Sequence, residues 1–265
     1  MSKRERWNRL LESLAAEGKL EVDAAATALE VSSATIRRDL DELAEQQMLV
    51  RTRGGAIPHG VSYELPLRYK STQHASEKQR IATATADLLN DGDVVGLNGG
   101  TTTTEVARVL ALRTNGGQEA AGGVAAPLFT VVTNALNIAS ELAVRPQIKI
   151  VVTGGVARPQ TYELIGPLTA GVLNEVVLDT VILGVNAVDP QLGIMTHHEE
   201  EASFSKHFAE RARRVIVVCD SSKMGRRAFA RICALDAIDV LVTDTGVPAD
   251  TVAWLKDAGI DVRAV

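Results

Sequence analysis

Apolar positions fall into two patterns along the chain. Through residue 57 they recur at helical spacing; from about residue 76 they gather into short β-branched runs separated by helical stretches. Trp7, Leu10, Leu11 and Leu14 follow the i, i+3, i+4, i+7 rule of a one-sided helix, and Gly18 stops it. Asp23 predicts the N-cap of a second helix over 24–29, and Ser32 that of a third from 33 to about 46. With Ile36 at the centre of the third helix's buried face, Leu40 and Leu43 fall beside it, while Ala34, Arg38, Asp41 and Glu45 point away. Residues 49–52 then read as a short strand running into Arg53, Gly54 and Gly55, a glycine turn of the kind that forms a wing. Pro58, His59, Gly60 and Pro66 break any period, which places a linker at 58–75 between a domain over 1–57 and another over 76–265.

The second domain alternates regularly. Residues 94–97, 129–133, 148–153, 181–184, 215–219 and 240–243 are runs dense in Val, Ile and Leu. Helical stretches at 77–89, 105–110, 135–143 and 200–213 lie between several of them. Such alternation predicts an α/β fold with a mostly parallel sheet covered on both faces. The Gly- and Ala-rich stretch 114–127 reads as a flexible surface loop inserted into that pattern.

Composition narrows the class. Hydrophobic residues are 46% and charged residues 23% of the 265, so burial can offset chain entropy and the chain is globular throughout. Cys219 and Cys233 lack a metal-ligand spacing and read as reduced thiols, so neither a metal site nor a disulfide framework is expected. The basic first residues lead into no apolar signal segment, and no stretch approaches the ~18 apolar residues of a membrane span. A soluble cytoplasmic protein is the expectation. The formal charge of −5 argues against indiscriminate nucleic-acid binding. Residues 1–57 are themselves not basic, with 9 Lys+Arg against 10 Asp+Glu, but cations concentrate at Arg37, Arg38, Arg51 and Arg53.

The third helix carries hydroxyl and guanidinium groups in its first two turns, at Ser33, Thr35, Arg37 and Arg38, and carboxylates in its last two. A helix-turn-helix inserts the N-terminal part of its recognition helix into the major groove, where Arg pairs with guanine and Ser or Thr reaches bases or phosphates. An ordinary surface helix whose Arg37 and Arg38 pair with Asp41 and Glu42 would show the same pattern. In the second domain the predicted carboxyl ends of the strands lead into Asn98 and the run Gly99 to Thr104, then Asn134, Gly154 and Gly155, Asn186, and Asp220 to Lys223. The ligand crevice of an open parallel sheet lies outside those ends. Gly100, Thr101, Thr102, Thr103 and Lys223 suit a phosphate, the more so as a helix starts beside the threonines; Asn98 and Asn134 suit sugar hydroxyls. N-caps and tight turns of any α/β fold would also use these residue types. Neither a P-loop nor a dinucleotide fingerprint is present, which argues against a nucleoside triphosphate or NAD.

The run from Val31 to Leu40, with Leu43 and the segment from Arg51 to Ala56, resembles the DNA-binding signature of the DeoR family of bacterial transcriptional regulators. Arg53 stands where the family usually has His in its wing. From Glu77 and Lys78 through the Gly100 to Thr103 loop, Asn134, Gly154 and Gly155, Glu201 and Ala202, and Asp220 to Lys223, the rest of the chain resembles the DeoR-type sensor domain. The resemblance implies a winged helix-turn-helix followed by a sensor of the ribose-5-phosphate isomerase, glucosamine-6-phosphate deaminase and CoA-transferase-like type. It further implies a repressor of carbohydrate-metabolism genes that binds double-stranded operator DNA as a homodimer or homotetramer. A small phosphorylated sugar would be its effector, with no cofactor. The expected DNA contacts are Ser33, Thr35, Arg37, Arg38, Arg51, Arg53 and Gly54. Expected at the effector are Asn98, Gly100, Thr101, Thr102, Thr103, Asn134, Gly154, Gly155, Glu201 and Lys223. Asn98 replaces an acidic residue common in the family, so the effector can differ from those of relatives.

An enzyme of the isomerase or deaminase type is the alternative, because His197, His198, Glu199, Glu200 and Glu201 cluster with Thr196. Glu199 and Glu200 suit the start of a helix instead, which leaves Glu201 as the site candidate, and an enzyme has no use for the N-terminal module. Arg68 and Lys78, near the linker, are placed to relay the state of the sensor to the wing.

Overall fold

A computed structural model describes residues 1–46, 48–58, 67–70, 73–113 and 127–265. The predicted loop at 114–127 and most of the predicted linker lie outside the described residues, as does the side chain of Arg68. The chain divides into two compact units, Met1–Lys70 and Ser71–Val265.

In the first unit Ser2 caps α1 (Lys3–Glu17) by accepting from the Glu5 N–H, and Gly18, at φ +71°, closes it with its N–H on the Leu14 carbonyl. β1 (Leu20–Glu21), α2 (Val22–Ala28), α3 (Ser33–Glu45), β2 (Val50–Thr52), β3 (Gly55–Ile57) and the single turn α4 (Leu67–Lys70) follow. Leu10, Leu11 and Leu14 of α1 pack with Ile36, Leu40 and Leu43 of α3 in one buried cluster. The strands pair antiparallel in the order β1-β3-β2, the expected wing. Two local expectations are corrected. Asp23 is not the cap of α2: Glu21 is, because the Val22 N–H is already held by the Gly54 carbonyl (2.9 Å) and the helix starts there. Gly55, rather than Gly54, is the glycine the wing requires, since a Cβ at residue 55 would lie 1.7 Å from the Leu20 carbonyl oxygen.

Asp39 is a charged residue buried within this unit, 2% exposed. Arg6 Nε donates to Asp39 Oδ2, and Arg6 Nη2 and Trp7 Nε1 both donate to Oδ1 at 2.9 Å. A buried carboxylate is tolerated because these donors replace its water, and they fix α1 against the recognition helix.

The second unit runs α5 (Ala75–Ala86), β4 (Val94–Leu97), α6 (Thr101–Leu112), β5 (Phe129–Thr133), α7 (Leu136–Leu142), β6 (Ile148–Val152), β7 (Val156–Arg158) and β8 (Glu163–Ile165). It continues through α8 (Ala170–Asn174), β9 (Leu178–Gly184), β10 (Ala187–Asp189), β11 (Gly193–Thr196), α9 (Glu199–Glu210) and β12 (Ala212–Val218). Last come β13 (Ala230–Cys233), β14 (Val240–Thr243), α10 (Ala249–Asp257) and β15 (Asp261–Ala264). Seven strands form one sheet in the order β15-β14-β12-β9-β4-β5-β6, and every neighbouring pair is parallel. Val95, Leu97, Phe129 and Val131 meet Ile81, Val106, Leu110 and Ile138 on one face. Leu178, Val181, Val215 and Leu241 meet Phe204, Phe208 and Leu255 on the other. Burial on both faces is why the strands read as continuous apolar runs. All six predicted strands form.

Differences lie at boundaries and in small antiparallel pieces. The ninth helix ends at Glu210, and residues 212 and 213, predicted helical, begin β12, where Ala212 pairs with Leu178. The β7–β8 hairpin and the three-stranded sheet β10-β11-β13 are additions to the predicted pattern. Among the described residues no helix is long and apolar enough to cross a membrane.

Asp39→Ala should remove about 3 kcal/mol from the local stability of the first unit, because it leaves a guanidinium and an indole N–H without their partner. Amide hydrogen exchange in α1 and α3 of the full chain should then speed up by about 100-fold, with the seven-stranded sheet unchanged; unaltered exchange in α1 and α3 would contradict this role.

Candidate functional site

The recognition face of α3 is set by its cap. Ser32 Oγ accepts from the Thr35 N–H (3.1 Å) and pairs with the Thr35 hydroxyl (2.9 Å), while Ser33 Oγ donates to Asp23 Oδ1 (2.8 Å), tying α2 to α3. Arg37 and Arg38 are exposed and make no hydrogen bond or ion pair among the described residues. They do not pair with Asp41 and Glu42, which have other partners: Asp41 accepts from Arg51 Nε (2.7 Å) and Glu42 from Lys3 Nζ. Arg51 also donates to the Gly55 carbonyl (2.5 Å), so it braces the wing against the late recognition helix. Arg53 and Gly54 form the exposed wing turn, and Arg53 is without an ion pair among the described residues. The acidic end of α3 thus organises two cations, Arg51 and Lys3, while the guanidinium groups of Arg37, Arg38 and Arg53 remain without an ion pair among the described residues.

In the second unit the sheet order reverses between β4 and β9, since β5 and β6 follow β4 on one side while β12, β14 and β15 follow β9 on the other. Such a switch point leaves a crevice at the carboxyl ends of the two strands. Asn98 sits there, 4% exposed. Its Nδ2 donates to the Gly184 carbonyl (3.0 Å) and to Ser205 Oγ (3.2 Å), and its Oδ1 accepts from the Gly184 N–H (2.8 Å). Asn98 therefore clasps the two strands, and its amide protons are already committed. Gly100, at φ +145°, caps α6. Thr103 and Thr104 return their hydroxyls to the Gly100 carbonyl (3.2 and 2.6 Å), whereas the hydroxyls of Thr101 and Thr102 have no partner among the described residues. First-turn N–H groups of a helix lack intrahelical acceptors, so this end of α6 offers hydrogen-bond donors and the positive pole of its dipole.

Asn134 is fully buried after β5; its Nδ2 donates to Glu163 Oε1 (3.2 Å) and the Leu164 carbonyl (3.1 Å). Its Oδ1 is buried without a partner among the described residues. Gly154 and Gly155, at φ +76° and +125°, turn the chain from β6 into β7; a Cβ on Gly155 would lie 2.9 Å from the Ile165 carbonyl oxygen. Glu201, 5% exposed, opens α9. Its Oε1 accepts from Arg158 Nη1 (2.7 Å) and Thr161 Oγ1 (3.0 Å), its Oε2 from Thr196 Oγ1 (3.1 Å). Glu163 joins it: burial, and then the nearby Glu201 charge, push the Glu163 carboxyl up to about 8. Lys223 follows β12, two strands from β4, in a turn capped by Asp220, and its ammonium makes no hydrogen bond or ion pair among the described residues.

The structure thus brings the Gly99 loop, Asn134 and Glu201 together through Glu163, joins Asn98 to β9, and places Lys223 two strands from β4 at the same edge of the sheet. Glu163, Arg158 and Thr161 were not singled out in the sequence; a glutamate heading the apolar run of β8 was the visible signal. His198 accepts from the Glu200 N–H (3.3 Å) as the cap of α9, and Glu199 and Glu200 lie exposed in its first turn, as helix electrostatics predicts.

The DeoR-like helix-turn-helix domain matches residues 6–59, and the DeoR C terminal sensor domain matches residues 73–245. The chain belongs to the DeoR family. This DeoR-family chain is 34% identical to the HTH-type transcriptional regulator GlpR of Haloferax volcanii over 97% of its own length and 96% of that protein's. It is 32% identical to the HTH-type transcriptional repressor GlcR of Bacillus subtilis over 92% of itself and 89% of the relative. It is 29% identical to the glycerol-3-phosphate regulon repressor of Escherichia coli K12 over 99% of each. Among solved structures, ribose 5-phosphate isomerase A from Methanocaldococcus jannaschii aligns over 57% of this chain and 55% of that one, at 17% identity and a TM-score of 0.42. Like its family, the protein is a DNA-binding transcriptional regulator: a wing and recognition helix followed by a sensor.

Arg38→Ala should weaken binding to an operator fragment selected from random DNA by about 10- to 100-fold while leaving the melting temperature unchanged. Arg51→Ala should lower both, because it releases the wing from Asp41. Equal affinity of Arg38→Ala and the parent would contradict the recognition face.

Proposed function

We propose that the protein is a repressor whose sensor takes a phosphorylated sugar at the reversal between β4 and β9. The single observation that carries this reading is the open end of α6 at that switch point, with the partnerless hydroxyls of Thr101 and Thr102 beside its first-turn N–H groups. An anion fits there, because both the donors and the dipole favour negative charge and no side-chain carboxylate caps the helix. Lys223, on the same edge of the sheet, adds a positive charge for the phosphate. The hydroxyl-lined surroundings of Glu201 suit the sugar. The names of full-length relatives, among them the glycerol-3-phosphate regulon repressor of Escherichia coli, agree with a small phosphorylated metabolite.

The effector acts on transcription only through unequal affinity for DNA-bound and free conformations. One wing with three available guanidinium groups makes a small contact, so two-fold symmetric dimers or tetramers supply the paired half-sites of an operator. The operator half is the recognition face of α3 with Arg37, Arg38 and Arg53.

At least one member of a sugar-phosphate panel should raise the melting temperature of the full-length protein and change its affinity for operator DNA, because a ligand that binds only the folded state stabilises it. Lys223→Ala should weaken that ligand by about 10- to 100-fold, the worth of a charge-assisted hydrogen bond. A panel in which no phosphorylated sugar moves either quantity would overturn the effector assignment.

A further inference from the structure

Glu163 is a buried ionisable group that the function above does not use. In the β7–β8 hairpin it stands opposite Arg158, and both side chains lead to Glu201. Glu163 Oε1 accepts from two neutral donors, the Gly99 N–H (3.0 Å) and Asn134 Nδ2 (3.2 Å). The same carboxyl lies beside that of Glu201, whose nearness adds to burial in raising it. Two carboxyl groups can bond to each other only with a proton between them. Arg158, Thr161 and Thr196 take three of the about four acceptor sites of the Glu201 carboxylate, which leaves one for a proton carried by Glu163.

Charge balance leads to the same arrangement. Among the described residues around Glu163, α9 presents Glu201, β7 presents Arg158, and the loops after β4 and β5 present the Gly99 and Asn134 amides, which do not titrate. One proton, two carboxyl groups and one guanidinium sum to zero, the arrangement that burial favours. Contact with the anion loop is direct, because a Cβ on Gly99 would lie 2.3 Å from Glu163 Cγ.

We propose that Glu163 works as a neutral carboxylic acid sharing one proton with Glu201, and that in this form it is the positioning residue that holds the loop from Gly99 to Thr103 ready for the effector's anionic group. The positioning role rests on the effector reading given above; the shared proton does not. Ionised, Glu163 would set a negative charge against Glu201 and beside the anion loop at once. Burial holds the acid form up to about pH 8. The folded protein therefore keeps a proton that the unfolded chain releases near the ordinary value of 4.5. The stability gained is complete below that value, declines as pH rises toward 8, and is absent above it.

Melting of the full-length protein between about pH 6 and about pH 9, with and without inorganic sulfate, whose charge is constant over that range, tests this against Glu163→Gln. The parent should lose several degrees relative to the variant as pH rises, and its sulfate-induced shift should shrink severalfold. Glu163→Gln should keep its sulfate shift at every pH. Parallel profiles for the two proteins, or loss of the sulfate shift in the variant at the lower pH, would overturn the proposal. Absence of a sulfate response in both proteins at every pH would overturn the positioning role together with the anion-loop reading. The proton pair is read without ligand or variant by carbon NMR of glutamate side-chain carboxyls in the parent. One resonance titrating near 8 is expected, and titration of all of them below about pH 6 would refute the pair.

Discussion

The sensor sheet reverses its strand order once, between β4 and β9, and the chemistry of the second unit collects at that reversal. Loops leaving two adjacent parallel strands toward opposite sides open a crevice that the strands themselves cannot close. Its walls are backbone ends, so they must be satisfied by polar side chains in a place already cut off from water. Asn98 does this for Gly184, Thr133 for the Leu97 carbonyl, and Glu163 for the Gly99 N–H. Each of these groups has a structural task, and by performing it leaves the end of α6 unencumbered.

The same economy of charge shapes the first unit. Its balance of cations and carboxylates is close to neutral, yet the carboxylates are placed where they organise the fold. Asp39 is buried under Arg6 and Trp7, Asp41 holds Arg51, Asp23 holds Ser33, and Glu42 meets Lys3. The guanidinium groups of Arg37, Arg38 and Arg53 are left without an ion pair among the described residues. A module built this way has little general affinity for polyanions, since non-specific binding follows total positive charge. It depends on the position of its cations instead.

Much of this was legible in the sequence, and the exceptions share a cause. Ser32 with Ile36, Leu40 and Leu43 announced the recognition helix, because a cap and an apolar stripe are local signals. The central strands announced themselves because both of their faces are covered. Arg51 read as a DNA contact because its partner Asp41 lies ten residues away in a different element. Asn98 read as a ligand for hydroxyls because Gly184 lies 86 residues further on. Glu163 escaped notice because its partners Asn134 and Gly99 lie 29 and 64 residues before it. The β7–β8 hairpin has three residues per strand, too few for alternation to show. Polar residues whose role is set by a distant backbone group carry no local pattern.

The account stands on one location, the N-terminal end of α6 at the reversal between β4 and β9. A crystal structure of the full-length protein with the sugar phosphate it binds most tightly tests it most directly. The phosphate should lie against the N–H groups and hydroxyls of Thr101 and Thr102, with the sugar directed toward the loops that carry Asn134 and Glu201. A phosphate bound elsewhere in the sensor, with this end of α6 open to solvent, would contradict it.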